Sequence, residues 1–366
     1  MIPKKSVLSW GHAVQDHQPH CGGERHAPAF SALAEELTPG DLQSLLLTVY
    51  KSRVKGMSAP AVLGRTEGNA LAAPSSVDAR LLNAFDRIAF AAAKDFEAVE
   101  LSPVCPLGTN FALGGIDQNN VLTTIRNAEA LGDSTPALAL EIARRRKHAQ
   151  RTSDPPVRLC ASHRCIRLQP FDIPGFTPHF RLFGMVSGGR DSGSSAFEIQ
   201  HLTEHIRFYL KLFRGLNAEG FSLTSPLVEI SDLTMTEALL TSAGISRDEV
   251  RKSVRAHIAG GSERFLSERG LVFPTDAEDA RLRQHVFEPL RAEFPEAEFR
   301  FNLARLEGLG YYTGWCLRIS PAASDGVRIP IADGGFTDWT ARLLQDKKER
   351  LLTSGIGSEF VCRRYR

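Results

Sequence analysis

The chain has 366 residues, 42% hydrophobic and 23% charged, a composition that supports a large core and excludes fibrous and disordered classes. With 44 Lys+Arg against 42 Asp+Glu, the formal charge is +2, so no global field draws the protein onto DNA, other nucleic acid or anionic lipid. No apolar run approaches the ~18–20 residues of a membrane span, the N-terminus lacks the apolar stretch of a signal peptide, and six cysteines are too few for a disulfide scaffold; a cytoplasmic location is expected.

Residues 1–30 carry His12, His17, His20, Cys21 and His26 among Pro, Gly and Gln, with no apolar period. This reads as a disordered or loosely attached tail. Histidine and cysteine are also zinc ligands, although these spacings match no closed zinc motif. A helical extension is expected over 31–75: Thr38-Pro-Gly-Asp41 caps a helix carrying Leu42, Leu45, Leu46, Leu47 and Tyr50, and a polar connection follows. Ser76-Val-Asp then opens an amphipathic helix through Leu81, Leu82, Phe85, Ile88, Ala89 and Ala92, and 96–103 reads as a strand stopped by Pro103.

Further on, helices are expected at about 136–148, 196–215, 234–243, 246–268 and 276–294, with strands near 158–168, 179–187, 221–230, 299–303, 313–320 and 328–333. Gly188–Ser195 and 322–326 carry turn residues and read as loops, and glycine-rich Gly184–Gly193 as a hairpin loop. The order is not a β-α-β alternation. Antiparallel hairpins with helices on one side predict an α+β fold.

Five segments carry a family resemblance. Leu306-Glu-Gly-Leu-Gly-Tyr-Tyr-Thr-Gly314 resembles the R-G-L-D-Y-Y-T-G histidine-binding signature of histidyl-tRNA synthetases. Asp333-Gly-Gly-Phe-Thr-Asp338 resembles that family's G-G-R-Y-D, and Ser354-Gly-Ile-Gly-Ser-Glu-Phe360 resembles class II motif 3, G-x-x-x-G-x-E-R. The helix ending at Lys94 with the strand to Pro103 resembles motif 1. Arg167 with His179-Phe-Arg-Leu-Phe-Gly-Met-Val186 resembles motif 2. Together they cover about residues 76–366 and imply a class II aminoacyl-tRNA-synthetase-like core: an antiparallel sheet flanked by helices, with a helical insertion at about 232–298. They also imply a homodimer built on motif 1. The family continues into an anticodon-binding domain; with six residues after Phe360, none is expected here.

The resemblance also locates departures. Class II activation relies on arginines that bind ATP phosphates and stabilise the charge moving onto them. Arg167 is retained, but Glu307, Phe336 and Phe360 stand where the family has arginine. Loss of one such cation costs about 10²–10³ in rate, and an acidic Glu307 at the reacting centre would repel a polyphosphate, so normal adenylation is not expected. Leu182 and Val186 replace the Gln and Glu that recognise histidine. Asp133 and Thr135 of Leu131-Gly-Asp-Ser-Thr135 stand for the family's contacts to the α-amino group, and Tyr311 and Tyr312 are kept. Two readings stand here: a pocket for an amine with an apolar side chain, or a defunct pocket with Leu182 and Val186 as core and Asp133-Ser-Thr as a helix cap.

The expected ligand-contacting set is therefore Asp133, Thr135, Arg167, Leu182, Val186, Glu307, Tyr311, Tyr312 and Glu359; no catalytic residue is assigned. Three functions follow. The first is a histidyl-tRNA-synthetase-like paralogue without tRNA aminoacylation, binding an amino acid or nucleotide as a regulatory or partner subunit; the regulatory subunit of ATP phosphoribosyltransferase is the nearest analogue. The second is a ligase activating an amino acid for a non-tRNA acceptor, with ATP and Mg²⁺ as cofactors, the metal near Glu359. The third is an RNA-binding module using Arg144-Arg-Arg-Lys147 with Arg151 and Arg363-Arg-Tyr-Arg366, although tRNA is not an expected partner. Cys160-Ala-Ser-His-Arg-Cys165 has zinc-type donors, but alternate cysteines in a strand read as core.

Overall fold

A computed structural model describes residues 27–147, 155–169, 177–250, 261–274 and 279–366; residues 1–26 of the expected tail, with its histidines and Cys21, and Arg151 lie outside the described residues, while 27–30 of that tail begin a helix. Its centre is an eight-stranded sheet. In chain order the strands are β1 (Glu97–Ala98), β2 (Val104–Pro106), β3 (Ala128–Ala130), β4 (Val157–Ile166), β5 (His179–Arg190), β6 (Thr224–Asp232), β7 (Glu298–Phe301), β8 (Trp315–Ala322), β9 (Ala332–Thr337) and β10 (Glu349–Ile356). The sheet order is β1-β4-β5-β10-β9-β8-β6-β7, while β2 and β3 form a small side hairpin. The six strands from β4 to β6 are antiparallel throughout, and only the edge strands β1 and β7 pair in parallel.

The N-terminal segment begins with α1 (Ala27–Ser31), then α2 (Pro39–Val54) and α3 (Ala59–Thr66). Thr38 caps α2 as expected, its hydroxyl accepting from the Asp41 amide at 3.2 Å. The polar connection that follows contains α3, opened by the Ser58 cap and Pro60. Neither helix has a buried residue; Leu45, Val49, Tyr50, Val62 and Leu63 remain exposed.

α4 (Ala79–Ala92) starts at Asp78, whose carboxylate accepts from the Arg80 amide at 2.8 Å. Leu82, Phe85, Ile88 and Ala89 recur at helical spacing and are buried against α7 (Ala196–Ala218). These helices cover one face of the sheet, where Phe183, Met185, Phe336, Leu352, Leu317 and Val228 join a single core cluster. The short α5 (Thr109–Ala112) lies near the opposite face, which is covered by α6 (Ser134–Lys147): Leu138, Ala139 and Ile142 pack on Leu159, Ala161, Val186 and Leu351.

The sheet corrects several expectations. The glycine-rich run after Gly184 is strand rather than loop, because β5 extends to Arg190. Glycine is required there by close packing: a Cβ on Gly188 would sit 2.5 Å from Ile142 Cγ2, and one on Gly184 would collide with the Ser134 hydroxyl. The strand expected over 96–103 shrinks to Glu97–Ala98, held beside Leu159 and Cys160. β10, read from sequence only as a motif, is the strand between β5 and β9.

Between β6 and β7 lies the mostly helical connection that two adjacent parallel strands require. It contains α8 (Leu233–Ser242), α9 (Gly261–Glu268), α10 (Ala280–Leu282) and α11 (Glu288–Glu293). Leu240, Val250, Phe265, Leu266 and Phe273 give it a small core shared with Ala304 and Leu306. The chain ends with α12 (Trp339–Leu344) and α13 (Ser358–Arg364).

Candidate functional site

Arg167 lies one residue beyond β4, where its amide donates to the Pro178 carbonyl at 2.7 Å and closes the β4–β5 hairpin. That placement turns its side chain under the start of α6. Nε donates to the Gly132 carbonyl at 2.7 Å, Nη2 meets the Asp133 carboxylate at 3.2 Å, and the guanidinium lies 5.6 Å from the Phe180 ring centroid. Asp133 also accepts from the Thr135 amide at 2.8 Å and hydroxyl at 2.9 Å. Its carboxylate therefore caps α6 and anchors Arg167 together.

Across from this pair stand Tyr311 and Tyr312, brought in by the turn before β8. The Tyr312 hydroxyl donates to Asp333 at 2.9 Å, and the other Asp333 oxygen accepts from Arg305 Nη2 at 2.7 Å. Arg305 is 4% exposed and also donates to the carbonyls of Glu307 and Leu317. Burial works against its charge, but Asp333 raises its pKa above the ordinary value. Burial likewise pushes the Tyr311 and Tyr312 phenols well above theirs.

Asp133, Thr135, Arg167, Leu182, Tyr311 and Tyr312 thus line one cavity, floored by Thr353–Gly355 of β10, with a volume of about 50 Å³. That is room for a few waters, whereas sites for small organic ligands run to about 300–1,000 Å³. Leu182 is 5% exposed and forms part of the cavity wall.

The remaining expected residues lie elsewhere. Val186 shares a strand face with Leu182 but is covered by α6. Glu307 is off the cavity wall and pairs with Arg318 at 2.9 Å. Burial alone would raise its pKa, but Arg318 and Arg305 outweigh burial and hold it down at about 2. Its charge is matched within the fold and does not face the cavity. Glu359, 3% exposed, accepts from the Ser75 hydroxyl, from Arg164 at 3.1 Å and from the Arg181 amide at 3.1 Å. With those contacts it is a tie between the N-terminal segment and the sheet.

Arg305, which holds Asp333 from behind the cavity wall, is the residue that sequence reasoning missed. It lies two positions before Glu307, and its signal was a cation just ahead of the signature with an acid, Asp333, opening the next motif.

The basic clusters are largely paired within the chain. Arg144 meets Glu141 at 2.7 Å, Arg145 meets Glu97 at 2.6 Å, Arg146 meets Glu349 at 2.5 Å, and Arg364 meets Asp325 at 2.6 Å. Cys160 and Cys165 point to opposite faces of β4 and are buried, and burial pushes the Cys160 thiol up to about 12. Among the described residues no group of three or more His, Cys, Asp or Glu is placed to hold a metal.

No protein-family model and no curated protein matches the chain. Solved structures do. The ATP phosphoribosyltransferase regulatory subunit/histidyl-tRNA synthetase of Bacillus halodurans is similar with a TM-score of 0.55 and 14% identity, over 80% of this chain and 82% of that one. A histidine–tRNA ligase subunit of Alicyclobacillus acidocaldarius gives a TM-score of 0.55 at 16% identity, over 79% and 94%. The chain has the class II aminoacyl-tRNA-synthetase fold. Histidyl-tRNA synthetase of Nostoc sp. PCC 7120 shares it with a TM-score of 0.52 and 15% identity, over 80% and 73%. In this class II fold, the segments resembling motifs 2 and 3 are β5 and the β10–α13 junction, adjacent across the β5–β10 pairing. Among the described residues no helix is long and apolar enough to cross a membrane.

Proposed function

We propose that the protein is a histidyl-tRNA-synthetase-like paralogue that does not aminoacylate tRNA and serves as a regulatory or partner subunit, a homodimer in the cytoplasm. The reading rests on one observation: the cavity between Arg167 and Tyr312 is about 50 Å³, Arg167 in its wall is held by Asp133, and Arg305 behind Tyr312 is held by Asp333. Adenylation needs unmatched cations facing the phosphates and room for an amino acid beside ATP. Here Leu182 is part of the wall of a cavity too small for either, and any amino acid or nucleotide has to displace it and the tyrosines or bind elsewhere. The pairing within Arg144–Arg146 favours this reading over an RNA-binding module.

Pyrophosphate exchange with ATP, run with each of the twenty amino acids, tests the proposal. A flat result throughout is expected. Exchange stimulated by any one amino acid overturns it and favours the ligase reading, with ATP and Mg²⁺ as cofactors.

A further inference from the structure

β6 ends, β8 begins, β9 ends and β10 begins along one rim of the sheet, and there a groove of about 900 Å³ opens between the first turn of α7 and α12. It is separate from the Arg167 cavity and falls within the range of sites that bind small organic molecules. Trp315, Phe336 and Ala341 give it an apolar floor.

Two buried polar atoms in its lining have no hydrogen-bond partner among the described residues: the hydroxyl oxygen of Thr337, a residue 4% exposed, and Glu198 Oε2. The other Glu198 oxygen accepts from Arg350 Nε at 3.0 Å. A buried polar atom without a partner is destabilising, so each invites a group from outside the chain. Oε2 accepts only, and calls for a hydroxyl or amine donor. The Thr337 hydroxyl serves either way.

Two exposed cations belong to the lining, which also carries acids. Lys347 is exposed and makes no ion pair among the described residues. Arg281, its side chain 58% exposed, lies 5.4 Å from the Trp315 ring centroid, donates to the Ser195 hydroxyl at 3.5 Å and, among the described residues, meets Asp279 at 3.8 Å. The remaining charges are occupied: Glu349 by Arg146, Asp232 by the α8 amides, and Arg342 by Asp338.

We propose that this groove binds a small phosphate ester bearing free hydroxyls, a sugar phosphate or mononucleotide, with its phosphate at Arg281 and Lys347 and its hydroxyls on Glu198 and Thr337. Bare phosphate can meet the cations but lacks the sugar hydroxyls that would extend to Glu198 and Thr337. The volume exceeds what a single amino acid fills. The inference is independent of the paralogue role, since amino-acid-dependent pyrophosphate exchange would overturn that role and leave the groove unaffected.

The test is thermal denaturation of the full chain with AMP, ribose 5-phosphate, inorganic phosphate or histidine at millimolar concentration. At least one ester is expected to raise the midpoint in proportion to the logarithm of its concentration, with inorganic phosphate and histidine far weaker. A response to AMP alone assigns a role to the base; a response to both esters assigns it to the sugar phosphate. Thr337→Val, which keeps the shape and removes an unpartnered hydroxyl, should fold at least as stably and weaken ester binding about tenfold. Ala341→Trp, which fills the groove, should abolish the shift. The proposal is overturned if neither ester shifts the midpoint, if phosphate or histidine matches them, or if Ala341→Trp responds like the parent.

Discussion

Arg305 and Asp333 meet at 2.7 Å behind Tyr312, with the arginine side chain 3% exposed and the aspartate 20%. Removing one partner of such a pair strands a buried charge, which typically costs about 3–5 kcal/mol, whereas replacing both with neutral groups of similar shape is far milder. Arg305→Met is therefore expected to lower the urea midpoint strongly with an unchanged m-value, and Arg305→Met/Asp333→Asn to recover most of the loss. A double-variant loss equal to the sum of the Arg305→Met and Asp333→Asn losses would show that the pair is not coupled.

Leu182 closes the cavity beside Arg167. Leu182→Ala should cost about 2–5 kcal/mol through lost burial and the void left behind. On the proposed reading, added room alone does not give adenylation, because Arg167 and Arg305 stay matched by carboxylates. The variant is expected to remain silent in pyrophosphate exchange with histidine while its denaturation midpoint drops.

Ser75 and Ala73 fasten the N-terminal segment to the sheet: the Ser75 hydroxyl donates to Glu359, and His179 Nε2 donates to the Ala73 carbonyl at 2.7 Å. A hydrogen bond to a buried carboxylate contributes about 1.5–3 kcal/mol. Ser75→Ala should speed tryptic cleavage at Arg65 and Arg80 while leaving sites within the sheet protected. Unchanged cleavage there would mean that the tie does not hold the segment.

His205 is fully buried under the sheet, its Nε2 at 3.0 Å from the Ser187 hydroxyl and its Nδ1 at 2.8 Å from that of Ser354. Burial, reinforced by His201 and opposed by Glu204, holds its pKa down at about 3. The unfolded chain takes up a proton near pH 6.5 that the folded chain refuses, so this contribution is intact above pH 6.5 and declines as pH falls toward 3, by about 1.4 kcal/mol per unit. His205→Gln should flatten the dependence of stability on pH between 6.5 and 4 while lowering stability at pH 7. The lowered pKa of Glu307 acts in a lower window that overlaps this one, from about 4.5 down to about 2.

How much of this was legible can be seen residue by residue. The apolar period of α4, the Thr38 and Asp133 caps and the order of the five motifs are local properties, written in neighbouring residues, and they sufficed for the antiparallel platform and its helical connection. The gathering of Asp133, Thr135, Arg167 and the two tyrosines around one cavity also followed from motif order. Glycines misled: in β5 they read as turn residues until α6 is seen lying on Gly184 and Gly188.

Which charge faces the cavity was decided only by tertiary structure. Arg318 and Asp333 are register partners across β8 and β9, yet Arg318 turns to Glu307 and leaves Asp333 to Arg305. That choice depends on which neighbours compete for each carboxylate once the strands are aligned, and spacing along one chain does not encode it. The closing of the cavity and the opening of the groove at the strand ends have the same origin, because a void is the remainder after distant segments pack, a quantity no single segment contains.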